Sequence, residues 1–357
     1  MSEAPVSPAV VWEVINGYAA YQGLVAALEL GLVDALAACG PDGATAAELA
    51  GAVGAADADH VAVLADLLVS IGLLDAVGRR YLLTPAAARF LVSSSPAQMR
   101  DLVRLSPGPQ QAWQQLAETL RSGRPSTRVT DDPAAYLAPL VEATAPTQRA
   151  VATATAVFLD AAGRLPAAPL VVDLGAGSAA WSIALLAARP EARAVAVDLP
   201  GVAQTTRRLT ADLGARVDVV EGDYLTVGLP DRADVVVLGH VLRAEPPARA
   251  RELLHRAFAV AGPDAVVVVT DYPRPAPPTD EETDRAATLA AARHELTLAL
   301  TMLASTDGAG VTVGQLSAWA AEAGWHVSDR LEPLPRQHVF LLRPDGAARS
   351  DRPARTD

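Results

Sequence analysis

The chain has 357 residues, 51% of them hydrophobic and only 4% aromatic, which suits two or three domains with a largely aliphatic core. Its 41 acidic residues outweigh 29 basic ones, all Arg, and the net charge of −12 disfavours nucleic-acid binding unless basic residues cluster locally. No such cluster stands out, no basic N-terminal segment precedes an apolar stretch, and no uncharged apolar run reaches the ~20 residues of a membrane span, so a cytoplasmic protein without membrane contact is expected.

Residues Val11 to Leu36 have helical apolar spacing and end near Gly40, Pro41 and Gly43. The one cysteine, Cys39, excludes an internal disulfide and is expected to be a small buried residue. Thr45 to Glu48 reads TAAE, a capping-box pattern that opens a short helix. A further helix spans Ala58 to Ile71, and Leu73 to Pro85 forms a hairpin turning at Gly78. Helices followed by a hairpin make a winged helix, so a transcriptional regulator is one competing function. The presumed recognition helix, DADHVAVLADLLVSIG, contains no Arg or Lys for phosphate or base contacts, and packing or an interface explains it better.

Between Asp101 and Gly163 helical patterns are interrupted by Ser106 to Pro109 and by the polar stretch Arg121 to Pro133. This segment is expected to bridge the domains and wall a substrate pocket, with Trp113 and Tyr136 as aromatic contacts. Leu170 to Pro200 then reads strand, Gly-rich turn, Ala-rich helix, strand, ending in Asp198. Gly175 and Gly177 let backbone approach a ligand closely, and a carboxylate roughly 20 residues on can accept hydrogen bonds from both hydroxyls of a ribose. A nucleoside-containing cofactor is the first inference. A nicotinamide enzyme ranks lower, because Ala179 or Ala180 stands at the third glycine position and bulky Trp181 follows.

Asp223 is expected at the end of a third strand, and Asp234 to Leu242 as a fourth. A helix from Pro247 to Ala261, a buried strand from Asp264 to Tyr272, and a proline-rich loop follow. A long helix from Asp280 to Leu303, a helix from Val313 to Ala323, and strands at His326 to Leu331 and His338 to Arg343 complete the pattern. The polar tail beyond Pro344 is expected to be disordered.

DLGAG, AVDLP and GDY stand where the plant-type O-methyltransferases and their actinobacterial relatives carry their cofactor motifs. The chain resembles that family from about Val14 to Pro344. The resemblance implies an α/β class I methyltransferase Rossmann-like doubly wound sheet with an N-terminal α-helical winged-helix domain that forms a homodimer. The implied boundaries are 1–100 for dimerisation, 101–165 for a helical linker and pocket wall, 166–344 for catalysis, and 345–357 for the tail. S-adenosylmethionine is the implied cofactor, or S-adenosylhomocysteine as its product. Gly175 and Gly177 would flank its methionine and ribose portions, Asp198 with Leu199 the ribose hydroxyls, and Asp223 with Tyr224 the adenine. Asp173 and Gly239 would complete that site.

The resemblance breaks at the catalytic base. The family histidine lies in a motif resembling HVLHDW, whereas this chain reads HVLRAE from His240 to Glu245. Arg243 therefore occupies the base position. Strand alternation would put His240 on the opposite face. After Met302 the family continues with a glycine pair and ERT, while this chain reads MLASTDGAGVT, with Gly310 near the missing glutamate. Met302 and Thr306 are taken to border the substrate. Arginine stays protonated and cannot serve as a base, although it can bind a carboxylate, a phosphate or a developing oxyanion. Alternatively, Arg243 pairs with a neighbouring acid such as Glu245.

Positioning contributes roughly 7 to 11 kcal/mol to such a transfer, against about 3 to 5 kcal/mol for a general base, so a substrate that is already nucleophilic can react without the histidine. The expected function is methyl transfer to carbon, nitrogen or oxygen of a small natural-product acceptor. The alternative is non-methylating decarboxylase, hydroxylase or pericyclase chemistry that keeps the cofactor as a structural element. His240 and His294 are the titratable catalytic candidates beside Arg243. No cluster has metal-ligand spacing, and no metal is expected.

Overall fold

The computed structural model describes residues 7–106, 108–277 and 284–345 and divides into two compact units, Met1–Arg104 and Leu105–Asp357. The sequence-predicted tail lies outside the described residues from position 346 onward.

The first unit begins with α1 (Ala9–Leu30) and α2 (Leu32–Ala38). These were expected as one helix, but Gly31 adopts φ +77° and caps α1, bending the chain by 58°. Among the described residues no single helix is long and apolar enough to cross a membrane; this bent pair qualifies by length and composition. Its second half is built into the core: Ala27, Leu32 and Leu36 pack with Leu49, Val61 and Leu68. Cys39, expected to be buried, is exposed just beyond α2, where the chain leaves the core for the Gly40–Pro41 turn.

Strand β1 (Ala44–Thr45) leads into α3 (Ala46–Val53), opened by the expected capping box between Thr45 and Glu48. Helix α4 (Ala58–Ser70) precedes the hairpin of β2 (Leu74–Val77) and β3 (Arg80–Leu83), against which β1 also pairs. Helices α5 (Pro85–Phe90) and α6 (Arg100–Leu105) follow.

The second unit opens with α7 (Gln110–Gln114), α8 (Leu116–Ser122) and the 29-residue α9 (Pro133–Ala161). Asp132 caps α9, and Pro133 occupies a first-turn position that needs no donor. The seven-stranded sheet uses β4 (Leu170–Leu174), β5 (Arg193–Asp198), β6 (Val217–Glu221), β7 (Ala233–Gly239), β8 (Ala261–Asp271), β9 (Trp325–Leu334) and β10 (Gln337–Pro344). Their spatial order is β6-β5-β4-β7-β8-β10-β9, parallel except for the final hairpin. This is the doubly wound, Rossmann-like arrangement of class I methyltransferases.

Both faces of the sheet are covered, and strand periodicity decides which side chains go where. Val235 and Val237 of β7 face a core with α9 and with α10 (Ala180–Ala188), while Val236 and Leu238 face the opposite core, which includes Leu253 and Leu254 of α12 (Pro247–Val260). Between these elements, α11 (Pro200–Leu209) starts directly after β5. The expected long helix is instead two helices, α13 (Arg285–Ala291) and α14 (Arg293–Ser305), separated at Ala292, where the chain leaves helical geometry. Residues 280–283 of that expectation lie outside the described set. Helix α15 (Val313–Glu322) carries a second capping box, Thr312 with Gln315.

The parallel strands all deliver their carboxyl ends to one edge, and the strand order reverses direction between β4 and β7, leaving a crevice there. Gly175, Asp198 and His240 lie at or just beyond those strand ends.

Candidate active site

Strand β4 ends at Leu174, and the chain turns through Gly175 at φ +76° and Gly177 at φ +55° into Ala179 at φ +53°. A Cβ at Gly175 would lie 2.4 Å from Val241 Cγ1 and 3.8 Å from Tyr224 Cε1; at Gly177 it would lie 3.2 Å from Val141 Cγ1. The turn therefore needs glycine both for its left-handed backbone and for the space it leaves. Ala179 in the left-handed conformation starts α10 without a side-chain cap.

Asp198 ends β5 as a buried carboxylate. Its Oδ2 accepts the Gly177 N–H at 2.7 Å and its Oδ1 the Leu199 N–H at 2.8 Å. Each oxygen retains acceptor capacity for a hydroxyl. Burial pushes the Asp198 carboxyl up to about 6, against the opposing effect of the two backbone hydrogen bonds. Asp173 is also raised to about 6 by burial, but its Oδ2 accepts the Ser182 N–H at 3.3 Å and hydroxyl at 2.7 Å, tying β4 to α10.

Strand β6 stops at Glu221, two residues before the expected strand end at Asp223. Asp223 accepts the Leu225 N–H at 2.9 Å and pairs with Arg249 at 3.0 Å. Tyr224 donates its hydroxyl to Glu245, which also pairs with Arg249 at 2.7 Å. Burial, followed by the Glu245 charge, holds the Tyr224 phenol well above its ordinary range and keeps it protonated. Glu245 is thus committed to Tyr224 and Arg249, and the acid that neighbours Arg243 is Asp271 instead. The Tyr224–Glu245–Arg249 network was missed in the sequence, although Glu245 and Arg249 have an i,i+4 spacing.

Strand β7 ends at Gly239 rather than Leu242. The indole of Trp181 packs at Gly239, 3.2 Å from where a Cβ would stand, and its N–H is buried without a partner. His240 then takes φ +60°, and Leu242–Ala244 forms a 3-10 turn. Strand alternation ceases at Gly239, which corrects the expected opposition of His240 and Arg243. Both face Tyr272: the His240 ring stacks on it at 5.1 Å, and the Arg243 guanidinium lies over it at 5.2 Å. His294, from α14, meets the same ring edge-on at 5.7 Å.

Asp271, fully buried at the end of β8, accepts the N–H of Arg243 at 3.2 Å and that of Tyr272 at 2.9 Å. It stands 3.7 Å from Arg243 Nε and 4.0 Å from His240 Nδ1, beyond hydrogen-bond distance. Both ring nitrogens of His240 and the Nε and Nη1 of Arg243 are buried without hydrogen-bond partners. Burial, reinforced by the Arg243 charge, holds the His240 imidazole well below its ordinary range, so it is neutral at pH 7. Burial raises the Asp271 carboxyl, opposed first by Arg243. Gln337 donates to the Tyr272 hydroxyl.

Gly310 lies beside Arg243, donating its N–H to the Arg243 carbonyl at 3.1 Å. Thr306 is buried at the end of α14, and its hydroxyl donates to the Met302 carbonyl at 2.8 Å. Trp113 reaches α14 from α7, beside Gly108 and Thr301. Tyr136 is in the first turn of α9, whose Ala134 packs against Gly201 just after Asp198. Among the described residues no group of three or more His, Cys, Asp or Glu is arranged to hold a metal.

Residues 12–93 match the O-methyltransferase dimerisation domain, and residues 141–326 match the O-methyltransferase domain. The chain belongs to the O-methyltransferase family. It is 34% identical to 3-amino-4-hydroxybenzoate 4-O-methyltransferase of Streptomyces cremeus, over 72% of each chain. It is 29% identical to acetylserotonin O-methyltransferase of Bos taurus, over 88% of this chain and 91% of the relative. Among solved structures it resembles CalO1, a methyltransferase in calicheamicin biosynthesis with bound S-adenosylhomocysteine, at a TM-score of 0.71 and 25% identity over 94% and 97% of the two chains. The protein is a methyltransferase, and S-adenosylmethionine is its cofactor. The Gly175–Gly177 turn, which leaves room that a Cβ would fill, and the buried Asp198 carboxylate, whose oxygens keep acceptor capacity for hydroxyls, fit that group.

Proposed function

We propose that this member of the family methylates a nucleophilic oxygen or nitrogen on a small aromatic natural product. The observation that carries the reading is the convergence of His240, Arg243 and His294 on Tyr272 at the strand edge that also holds the Gly175 turn. S-adenosylmethionine supplies an electrophilic sulfonium methyl when bound.

Gly175 and Gly177 would pass along its methionine and ribose portions, Asp198 and Leu199 would hold the ribose, and Asp223 with Tyr224 would border the adenine. Asp173 would hold the turn in place from behind, and Gly239 would leave the floor open next to Trp181. On the acceptor side Trp113, Tyr136, Met302 and Thr306 would shape the pocket. His240, neutral and with both nitrogens unpartnered, would accept a hydrogen bond from the acceptor and orient it, since burial and the Arg243 charge disfavour its protonated form. Arg243 would stabilise negative charge on the acceptor, and His294 would stand at the rim. Relatives named for natural-product O-methylation support this choice over the carbon methylation also considered from the sequence.

The division of labour would follow residues 1–100 for dimerisation, 101–165 for the linker and pocket wall, and 166–344 for catalysis. A homodimer is supported by the match to the dimerisation domain and by the apolar side chains α1 exposes, among them Trp12 and Ile15. Absence of any single membrane-crossing helix among the described residues is consistent with a cytoplasmic enzyme.

Incubation with S-adenosylmethionine and a panel of phenolic and amino-aromatic acceptors, followed by mass spectrometry, tests the reading. The expected product gains one methyl with stoichiometric S-adenosylhomocysteine. A decarboxylated or isomerised product with the cofactor unconsumed would establish the non-methylating alternative instead.

A further inference from the structure

Arg243 is a cation without a hydrogen-bonding counter-ion. Its side chain is 18% exposed, and Nε and Nη1 are sealed from solvent with no hydrogen-bond partner. Leaving such donors unpaired in a low-dielectric site is costly, and natural proteins keep few of them without a functional reason. Asp271 is an ion-pair neighbour of the guanidinium and not its hydrogen-bond partner. Its Oδ1 is 3.7 Å from Nε, and its two oxygens accept the backbone N–H groups of Tyr272 and Arg243. Burial also works against its ionisation. Asp271 therefore fixes the backbone from which the guanidinium projects, while Glu245 is engaged elsewhere.

The backbone that carries the guanidinium is held on both sides. Gly310 donates to the Arg243 carbonyl, and a Cβ at Gly308 would lie 2.3 Å from that same oxygen, so the 308–310 segment closes directly over the residue's backbone. The Tyr272 ring supports the guanidinium from below at 5.2 Å, and His240 adds two further unpartnered nitrogens on that ring. A guanidinium presents its Nη1 and Nη2 N–H groups as a planar fork, which matches a planar anion with two oxygens better than a single phenolate oxygen.

We infer that the acceptor carries a carboxylate and that Arg243, backed by Tyr272 and positioned by Asp271, is the residue that selects it. The consequence for turnover rests on the methyl-transfer reading above; the recognition itself does not. In this pocket the former base position determines acceptor class: neutral phenols are disfavoured, and aromatic acids are placed with the carboxylate on Arg243 and the nucleophile towards the Gly175 turn.

The test is calorimetric titration of the full-length protein, preloaded with S-adenosylhomocysteine, with salicylate and with salicylamide. Salicylate is expected to bind at least about 10-fold more tightly, the lower bound for hydrogen bonds to a charged group. Arg243→Gln should level the two ligands. Arg243→Lys should keep only part of the preference, because the charge remains but the planar donors are lost. Circular dichroism and melting temperature verify that each variant is folded, and Arg243→Lys alone suffices if Arg243→Gln is not. Equal binding of the two ligands, no binding of either at millimolar concentration, or a full preference surviving in a folded variant would overturn the inference. Failure of methyl transfer is read separately, from cofactor consumption, and leaves this binding result standing.

Discussion

The Gly177 N–H donates to Asp198 Oδ2 at 2.7 Å, so the turn after β4 and the end of β5 are a single device. Replacing Asp198 with Ala removes both the proposed ribose acceptor and the partner of that N–H. S-adenosylhomocysteine affinity should fall about 10- to 150-fold, from the roughly 1.5–3 kcal/mol of a charged hydrogen bond. Calorimetry measures this directly, and unchanged affinity would remove Asp198 from the site.

The same carboxyl makes affinity depend on pH. Because burial raises Asp198 to about 6, protonation below that value removes acceptor capacity, and affinity should decline by up to about tenfold per pH unit below it. For folding the sign is opposite: a carboxyl raised from 3.8 to about 6 costs the apo protein stability as pH rises through that interval. Titrations from pH 7.5 to 5 test the binding arm. Asp198→Asn should flatten most of the slope, leaving only the part due to Asp173, which is raised to the same value.

How far the sequence reveals this site depends on how local its parts are. The Gly175–Gly177 turn and Asp198 lie within one strand–helix–strand unit, where spacing alone brings them together. Asp271 and Tyr272 were hidden at the end of a valine run that reads only as a buried strand. Gln337 reaches Tyr272 through antiparallel pairing of β10 with β8, with His338 opposite Asp271, a register set by tertiary packing and not by any local pattern. The relation of His240 to Arg243 was misread because alternation was extended past Gly239, where the strand ends and His240 turns to positive φ. Gly31 carries a stop signal inside an otherwise continuous apolar pattern, but the pattern dominates the reading and hides the helix break there.

Gly175→Ala should damage stability and cofactor binding together. The left-handed backbone costs an L side chain roughly 1–2 kcal/mol, and the new methyl would sit 2.4 Å from Val241 Cγ1. A melting temperature several degrees lower, with weakened S-adenosylhomocysteine binding, is expected. A variant that melts and binds like the parent would show that Val241 moves freely and that the turn is not strained.

His240→Asn separates backbone strain from chemistry, since Asn tolerates the positive φ that His240 adopts at +60°. The fold should survive while kcat falls by less than the about 10²- to 10⁴-fold of a well-matched general base, because an imidazole held well below its ordinary range is a weak base. In the parent, the acid limb of the kcat/KM profile should lie well below the ordinary histidine range, because burial and the Arg243 charge both favour the neutral ring. Full activity in His240→Asn would mean that the acceptor ionises unaided.

The α1 surface tests the assembly. Val10, Val11, Trp12, Val14, Ile15 and Tyr18 are each more than half exposed, a continuous apolar stretch of the sort that marks an interface. Light scattering should find a dimer at micromolar concentration, and the pair Trp12→Glu with Ile15→Glu should shift it to monomer. A parent protein that is already monomeric would contradict the proposed homodimer.

Restoring the family's base dyad should fail, and the reason is steric as well as chemical. Arg243→His replaces the residue but supplies no carboxylate to orient it, and Asp271 is already engaged by two backbone N–H groups. Adding Gly310→Glu introduces a side chain at φ +71° whose Cβ would lie 3.1 Å from Ala299 Cβ, in a segment that donates to the residue 243 carbonyl. The glutamate would have to distort the 308–310 segment, and with it the backbone that aims residue 243 at Tyr272. Activity with the native acceptor should therefore drop in Arg243→His and drop further in the double variant, with the lower melting temperature confined to the double variant. A double variant that gains activity on neutral phenols without losing stability would show that the loop accommodates the dyad, and that Arg243 and Gly310 were exchanged for function rather than fixed by packing.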